Sequence, residues 1–210
     1  MLQRMKPRPP LDPSNPAMAL TPGVRPQAAR MADERRLIAR AQAGDSGAFR
    51  ELVEQHQARA YTLALRILRS ASDAEEVAQD AFVRVWTALP GFRGESSFGT
   101  WLYRIVARRS FDRAQVLSHR RARERLDEQL PEHAGSEPEQ DALRSAMLER
   151  LIGDLSPAQR AAVTMFYYEG RSVEQVASVL GMPENTVKTH LLRARAALRA
   201  AWTHETGEER

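Results

Sequence analysis

Between residues 32 and 114, apolar positions recur at three- and four-residue intervals, the spacing of one face of a helix. Leu37, Ile38 and Ala41 mark the apolar side of a first short helix that Gly44 should end. Phe49, Leu52, Val53, Ala60, Leu63, Leu65, Ile67 and Leu68 predict a long second helix through about Arg69. Ser72-Asp73-Ala74-Glu75 then reads as a capping box, a hydroxyl accepting from the amide three residues on while the glutamate reaches back. The helix it opens should run to about Leu89, where Pro90-Gly91 stops it. A polar loop, Phe92-Arg-Gly-Glu-Ser-Ser97, precedes a fourth helix from about Phe98 to Gln115. No segment alternates at the two-residue period of a strand, and no internal repeat is evident.

The pattern breaks at 116–140, which turns Arg-rich, then Glu-rich, and is interrupted by Pro131, Gly135 and Pro138. This reads as a flexible linker whose first part can extend the preceding helix. Helical spacing resumes with segments predicted at about 141–153, 157–168, 173–180 and 184–202. Ser156-Pro157 supplies a cap followed by a first-turn proline, and Gly170 ends the second of these helices. Residues 1–30 hold most of the prolines and few large apolar groups, so burial cannot offset the entropy of ordering them. They are expected to be a disordered tail, with Met18 or Met31 as a candidate native start. The expected fold is therefore all-α. Two small helical domains, 31–115 and 141–203, are joined by a flexible linker at 116–140, and 204–210 is a tail. The second domain is a helix-turn-helix of four helices, winged-helix-like.

Composition narrows the chemistry. The chain of 210 residues has no cysteine, which removes disulfides, thiolate nucleophiles and cysteine-ligated zinc together. No apolar run approaches the roughly 18 to 20 residues that span a bilayer, and no signal-peptide core opens the chain, so the expected location is cytoplasmic. The formal net charge of +4 is carried by residues 1–30, leaving the remainder neutral. Within that remainder charge is segregated. Residues 92–125 carry nine arginines against three acids, whereas 126–160 carry eight acids against three arginines. A local field of that kind steers a polyanion where net charge does not.

Three motifs stand out. Ser172 to Leu192 reads as a helix-turn-helix, with Ala177 small at the crossing, Gly181 in the turn and Val187 packing the later helix back. That helix exposes Glu184, Asn185, Lys188, Thr189, His190 and Arg193, polar groups able to read a major groove, and Arg195 and Arg199 continue toward phosphates. The plainer alternative is a three-helix domain with a solvated face. Second, Phe98 to Arg113 interleaves aromatics with arginines, and Trp101, Arg104 and Arg108 share one face. Such a face can stack an unpaired base and hold adjoining phosphates; equally, Trp101 and Ile105 at this spacing fit a core. Third, Asp73, Glu75 and Glu76 fall in a first helical turn, where the dipole favours acids. No histidine follows at a ligand spacing and no Gly-rich phosphate loop appears, so the reading is of a partner-facing helix, with no metal, no cofactor and no enzyme chemistry.

In this order, these motifs resemble the sigma-70 family of bacterial transcription initiation factors, in its extracytoplasmic-function class, over residues 32–202. Asp73-Ala-Glu-Glu-Val-Ala-Gln-Asp-Ala-Phe82 is similar to the family's segment that docks on the clamp helices of the RNA polymerase largest subunit. The resemblance implies that Asp73, Glu76, Gln79, Asp80 and Phe82 face polymerase. Phe92 to Ile105 resembles the loop and helix that melt and read a −10-type promoter element. That implies single-strand DNA contacts by Phe92, Arg93, Ser96, Ser97, Trp101, Arg104 and Arg108. Leu155-Ser-Pro-Ala-Gln-Arg160 and the helix-turn-helix resemble the −35 reader, implying major-groove roles for Lys188, Thr189, His190 and Arg193, with Arg195 beside them. His190 stands where many relatives place arginine, and Gly99 where an aromatic is common. The implied partners are core RNA polymerase, promoter DNA and an anti-sigma protein, the last giving only an indirect link to the membrane. The competing reading from the residues themselves is a free-standing helix-turn-helix repressor or activator.

Overall fold

A computed structural model describes residues 27–124 and 140–206. The expected tail up to residue 26 and the centre of the expected linker, 125–139, lie outside the described residues. Eight α-helices carry the fold, and among the described residues there is no strand. They are α1 (Gln27–Gln42), α2 (Ser46–Leu68), α3 (Ala71–Ala88), α4 (Phe98–Glu124), α5 (Gln140–Gly153), α6 (Pro157–Val163), α7 (Val173–Leu180) and α8 (Glu184–Thr206). No helix among the described residues is long and apolar enough to cross a membrane.

The helix ends follow local chemistry. Asp45 caps α2 by accepting from the Ala48 N–H, and the Arg40 guanidinium grips the same carboxylate at 2.7 and 2.9 Å. The amide bond and that guanidinium hold the Asp45 carboxyl below its usual range. At the other end Arg69 takes the left-handed conformation, φ 58°, and donates its N–H to Leu65 O. That turn delivers Ser70 as the cap of α3, two residues before the serine at which sequence places it. Both serines have an acid three residues on, and it is the Ser70 hydroxyl that accepts from the Asp73 N–H. A short 3₁₀ turn, Leu89–Gly91, ends α3 at the expected proline. Helix α4 runs on to Glu124, well past Gln115, because 116–124 holds good helix formers and no Gly or Pro.

In the first unit α2, α3 and α4 pack on one another, joined by Leu52, Leu63, Ile67, Val85, Leu102 and Val106. In the second, α8 packs on α6 and α7, closed by Val176, Leu180, Val187, Leu191 and Ala194. Ser156, the expected cap before Pro157, caps α6, its hydroxyl oxygen accepting from the Gln159 N–H while its own N–H donates to Gln159 Oε1. Helix α6 then widens into a π turn, Thr164–Tyr168, which closes with Glu169 N–H on Thr164 O.

The two units meet: α6 and α7 rest on α4, α6 also touches α2, and one apolar core runs through both. The seam is rich in arginine. Arg59 and Arg66 reach Glu169 at 3.2 and 3.3 Å, and Arg69 reaches Glu149 at 2.5 Å. Arg171 lies over the Tyr103 ring at 4.4 Å. Burial there pushes the Tyr103 hydroxyl well above the usual phenol range, first by desolvation and then through Glu169.

Candidate nucleic-acid interface

The loop between α3 and α4 is pinned at both ends. At its start Phe92 donates its N–H to Leu89 O. At its end Ser97 caps α4, its hydroxyl oxygen accepting from the Thr100 N–H at 3.1 Å. Gly94, at φ +72°, makes the turn between them. Phe98 is buried to 1% exposure and anchors an aromatic chain. The Trp101 ring lies 6.0 Å from Phe98 edge-on, and Phe92 stacks on Trp101 at 4.8 Å with 29° between the planes. Such offset stacks are a favoured ring arrangement.

Beside this stack opens a cavity of about 620 Å³, bounded by Ala88, Gly91, Phe92, Arg93, Glu95, Ser96, Trp101 and Arg104. Arg93 and Arg104 are exposed at its rim. Trp101 is half-buried, packed against the core on one side and lining the cavity on the other. An aromatic wall between two guanidinium groups offers a π face to a planar base and two cations to phosphates. Of the seven residues expected in this role, the structure brings six to the loop and cavity. Arg108 is held elsewhere. Its Nη1 donates to Leu180 O at 2.6 Å, at the end of α7, and its Nε pairs with Asp112.

The second surface is α7–turn–α8. Ser172 and Gln175 form a capping box on α7, and Gly181, at φ +65°, ends it with its N–H on Ala177 O. Met182 donates to the same carbonyl, closing the turn before α8. Glu184, Asn185, Lys188, Thr189, Arg193 and Arg195 are exposed. Lys188 leans toward Glu184 at 3.7 Å, and the Thr189 hydroxyl donates to Asn185 O. His190 is half-buried; desolvation first, then the neighbouring Arg193 charge, lowers its pKa and favours the neutral ring.

On α3 the acids are not free groups. Asp73 and Glu76 both pair with Arg113, at 2.7 and 3.0 Å, and Asp80 pairs with Arg84 and Arg109 at 3.0 and 2.8 Å. The Arg84 hydrogen bond, aided by Arg109, holds the Asp80 carboxyl below its usual range against the opposing effect of burial. Gln79 is exposed and bonds Glu75. Phe82 points into the core at 8% exposure, so it is not an outward-facing group here. Helical periodicity explains this, because Phe82 shares a side with Ala74, Ala78, Ala81 and Val85, all buried. The large apolar side chains that α3 does expose are Val83 and Trp86, which the sequence reading passed over.

Two family models match the chain, Sigma-70 region 2 over residues 52–125 and Sigma-70, region 4 over residues 145–198. The chain is 34% identical over 176 residues to the RNA polymerase sigma-H factor of Pseudomonas aeruginosa, covering 79% of this chain and 91% of the relative. It is 32% identical over 173 residues to the ECF RNA polymerase sigma-E factor of Escherichia coli K12, covering 77% and 90%. Among solved structures it is similar to CnrH, solved in complex with the cytosolic domain of CnrY. The identity is 26%, the TM-score 0.55, and the match covers 83% of this chain and 99% of that one. The sigma factor RpoE of Bartonella quintana, solved with the anti-sigma factor NepR, shares the fold at 24% identity and a TM-score of 0.53, over 74% of this chain and 96% of that one.

Proposed function

The chain belongs to the sigma-70 family of RNA polymerase sigma factors, in the ECF class, and from that premise we propose how its surfaces divide the work of transcription initiation. The first domain, 31–115, binds polymerase and melts a −10-type element, and the second, 141–203, reads a −35-type element. The observation that carries this is the aromatic cavity at Phe92 and Trp101, rimmed by Arg93 and Arg104, on the same chain as the exposed polar face of α8.

Melting in this scheme needs no catalysis. A base extruded from the duplex enters the cavity against Trp101, and its flanking phosphates meet Arg93 and Arg104. Trapping it offsets an unpairing cost of a few kcal/mol. Lys188, Thr189, His190 and Arg193 enter the major groove, with Arg195 toward a phosphate. Asp73, Glu76, Gln79 and Asp80 face the clamp helices of the polymerase largest subunit.

Arg108 is exposed along part of its side chain, but its Nη1 donates to Leu180 O, and departure of α7 from α4 would free that nitrogen for DNA. In this scheme the two units part to engage two separated promoter elements. Polymerase sets that separation, and binding at one element raises the effective concentration at the other. An anti-sigma protein is the expected negative partner. Support comes from CnrH, 26% identical, which was captured with the cytosolic domain of a second protein. We place the chain with polymerase in the cytoplasm.

The test is run-off transcription with core RNA polymerase on genomic fragments, including the region upstream of its own gene. Discrete transcripts that require this chain support the proposal. Tight, sequence-selective duplex binding by the chain alone, with no response to core enzyme, would point instead to a free-standing repressor or activator.

A further inference from the structure

The last residue of α1, Gln42, reaches across to the loop that starts the cavity. Its Nε2 donates to Leu89 O at 3.1 Å and to Phe92 O at 2.8 Å. A group facing two carbonyl oxygens at once must be the amide NH₂, and these two bonds use both its hydrogens. They clamp the turn through Pro90 and Gly91, which ends in the ring stacked on Trp101. The opposite end of the aromatic chain is held from α1 as well. Glu34 bonds the His56 Nε2 at 2.9 Å, and the His56 ring packs 5.2 Å from Phe98, beneath the start of α4. At Gly99 a Cβ would lie 3.4 Å from the His56 ring, so that ring fills the side where a larger residue would stand.

We propose that Gln42 is a positioning residue for promoter-base capture: from α1 it fixes the Leu89–Phe92 turn, and thereby the Phe92–Trp101 wall of the cavity. This rests on reading the cavity as the base site. Gln42 touches no DNA in this scheme and acts through Phe92. Misplacing a positioned wall by a fraction of its contact distance forfeits much of the stacking contact, whereas binding to polymerase through α3 is untouched.

The experiment uses the full chain with core RNA polymerase. Gln42→Glu keeps the shape, loses both donors and sets a carboxylate against two carbonyls. Gln42→Lys restores donors, with an ammonium in place of the amide. Expected is wild-type competition for core by all variants. Open-complex lifetime, and preference for the unpaired base in fork-junction DNA, should fall about tenfold for Gln42→Glu and recover for Gln42→Lys. Trp101→Ala serves as the reference. If Trp101→Ala loses base preference while Gln42→Glu keeps it, the role of Gln42 is overturned and the base-site reading stands. If Trp101→Ala also keeps it, both fall. Should Gln42→Glu fail to fold, hydrogen exchange on the unmodified protein decides. Protected Gln42 side-chain amide protons support the clamp, and exchange at the free-amide rate refutes it.

Discussion

Arg160 of α6 donates from Nε to the carbonyl of Ile67 near the end of α2, 93 residues earlier in the chain, at 2.6 Å. Its Nη1 donates to Gly153 O and Leu155 O at 2.7 and 3.2 Å. A guanidinium that is 7% exposed thus sits where α2 leaves carbonyls without helical donors and where the helix dipole is negative. Its fixed fork suits three carbonyl acceptors better than a lysine would. The same side chain ties the second unit to the first.

Removing that fork should be costly. Arg160→Met keeps much of the volume but leaves three carbonyls short of a donor, and hydrogen bonds to charged groups contribute about 1.5–3 kcal/mol each when paired. We expect a loss of roughly 2–4 kcal/mol in urea unfolding, with Arg160→Lys intermediate. A loss below about half a kcal/mol, the range of ordinary surface changes, would deny Arg160 a structural role.

Gly181 and Arg108 should couple. A Cβ at Gly181 would lie 2.6 Å from Arg108 Nη1, and its φ of +65° is strained for any side chain. Gly181→Ala should cost about 1–2 kcal/mol from backbone strain, with a further increment from displacing Arg108. In an Arg108→Ala background only the strain should remain. A double-mutant cycle by chemical denaturation measures the difference, and additive effects would mean the seam relaxes freely in solution.

Trp101→Ala should spare competition for core polymerase and weaken the open-complex equilibrium about 5- to 150-fold, since stacking is worth about 1–3 kcal/mol per base. Permanganate reactivity of thymines around the start site reports it. Unchanged reactivity would remove Trp101 from melting.

His190 gives a pH signature. Its folded pKa is lowered, so below the unfolded value of 6.5 the unfolded chain binds more protons than the folded one. Stability should be fully present above about pH 6.5 and fall as pH drops through that value toward the lower folded pKa. His190→Gln should flatten the dependence. His190→Arg adds a permanent cation beside Arg193 and should steepen the log–log salt dependence of promoter binding by about one. An unaltered slope would place residue 190 away from phosphate.

Asp80→Lys should lower affinity for core polymerase about tenfold in competition assays. Its pair with Arg84 is exposed and its pair with Arg109 half-buried at the surface, and such pairs contribute about 0–1 kcal/mol, so unfolding should shift little. Wild-type competition would take Asp80 out of the interface.

The helices were legible because their evidence is local. Leu52, Leu63 and Ile67 announce α2 by spacing, and Ser156-Pro157 and Gly181 mark ends by their own backbone preferences. Where two local signals compete, as at Ser70 and Ser72, spacing alone could not choose. The loop 92–97 and Trp101 were visible as a motif, but their wall was not, because Phe92 and Trp101 meet only after the chain doubles back. Arg108 illustrates the converse: its spacing puts it on one face with Trp101 and Arg104, yet its Nη1 donates to Leu180 O.

Gln42, Glu34 and His56 carried no readable signal, and Arg160 was legible only as the end of a motif, without its partners. Nothing in a glutamine at a helix end, or in an arginine on an amphipathic helix, records which distant carbonyl it will meet. The chain's amino acids by themselves determined an all-helical, cysteine-free protein with a helix-turn-helix and an aromatic–arginine loop, since propensity, capping and period act over a few residues. Only the tertiary structure decided which polar side chains bridge elements, which acids are neutralised and which face of α4 is covered. Those outcomes depend on hydrogen bonds and burial between segments 22 to 110 residues apart, and a hydrogen bond of that reach exists only once packing has fixed both partners.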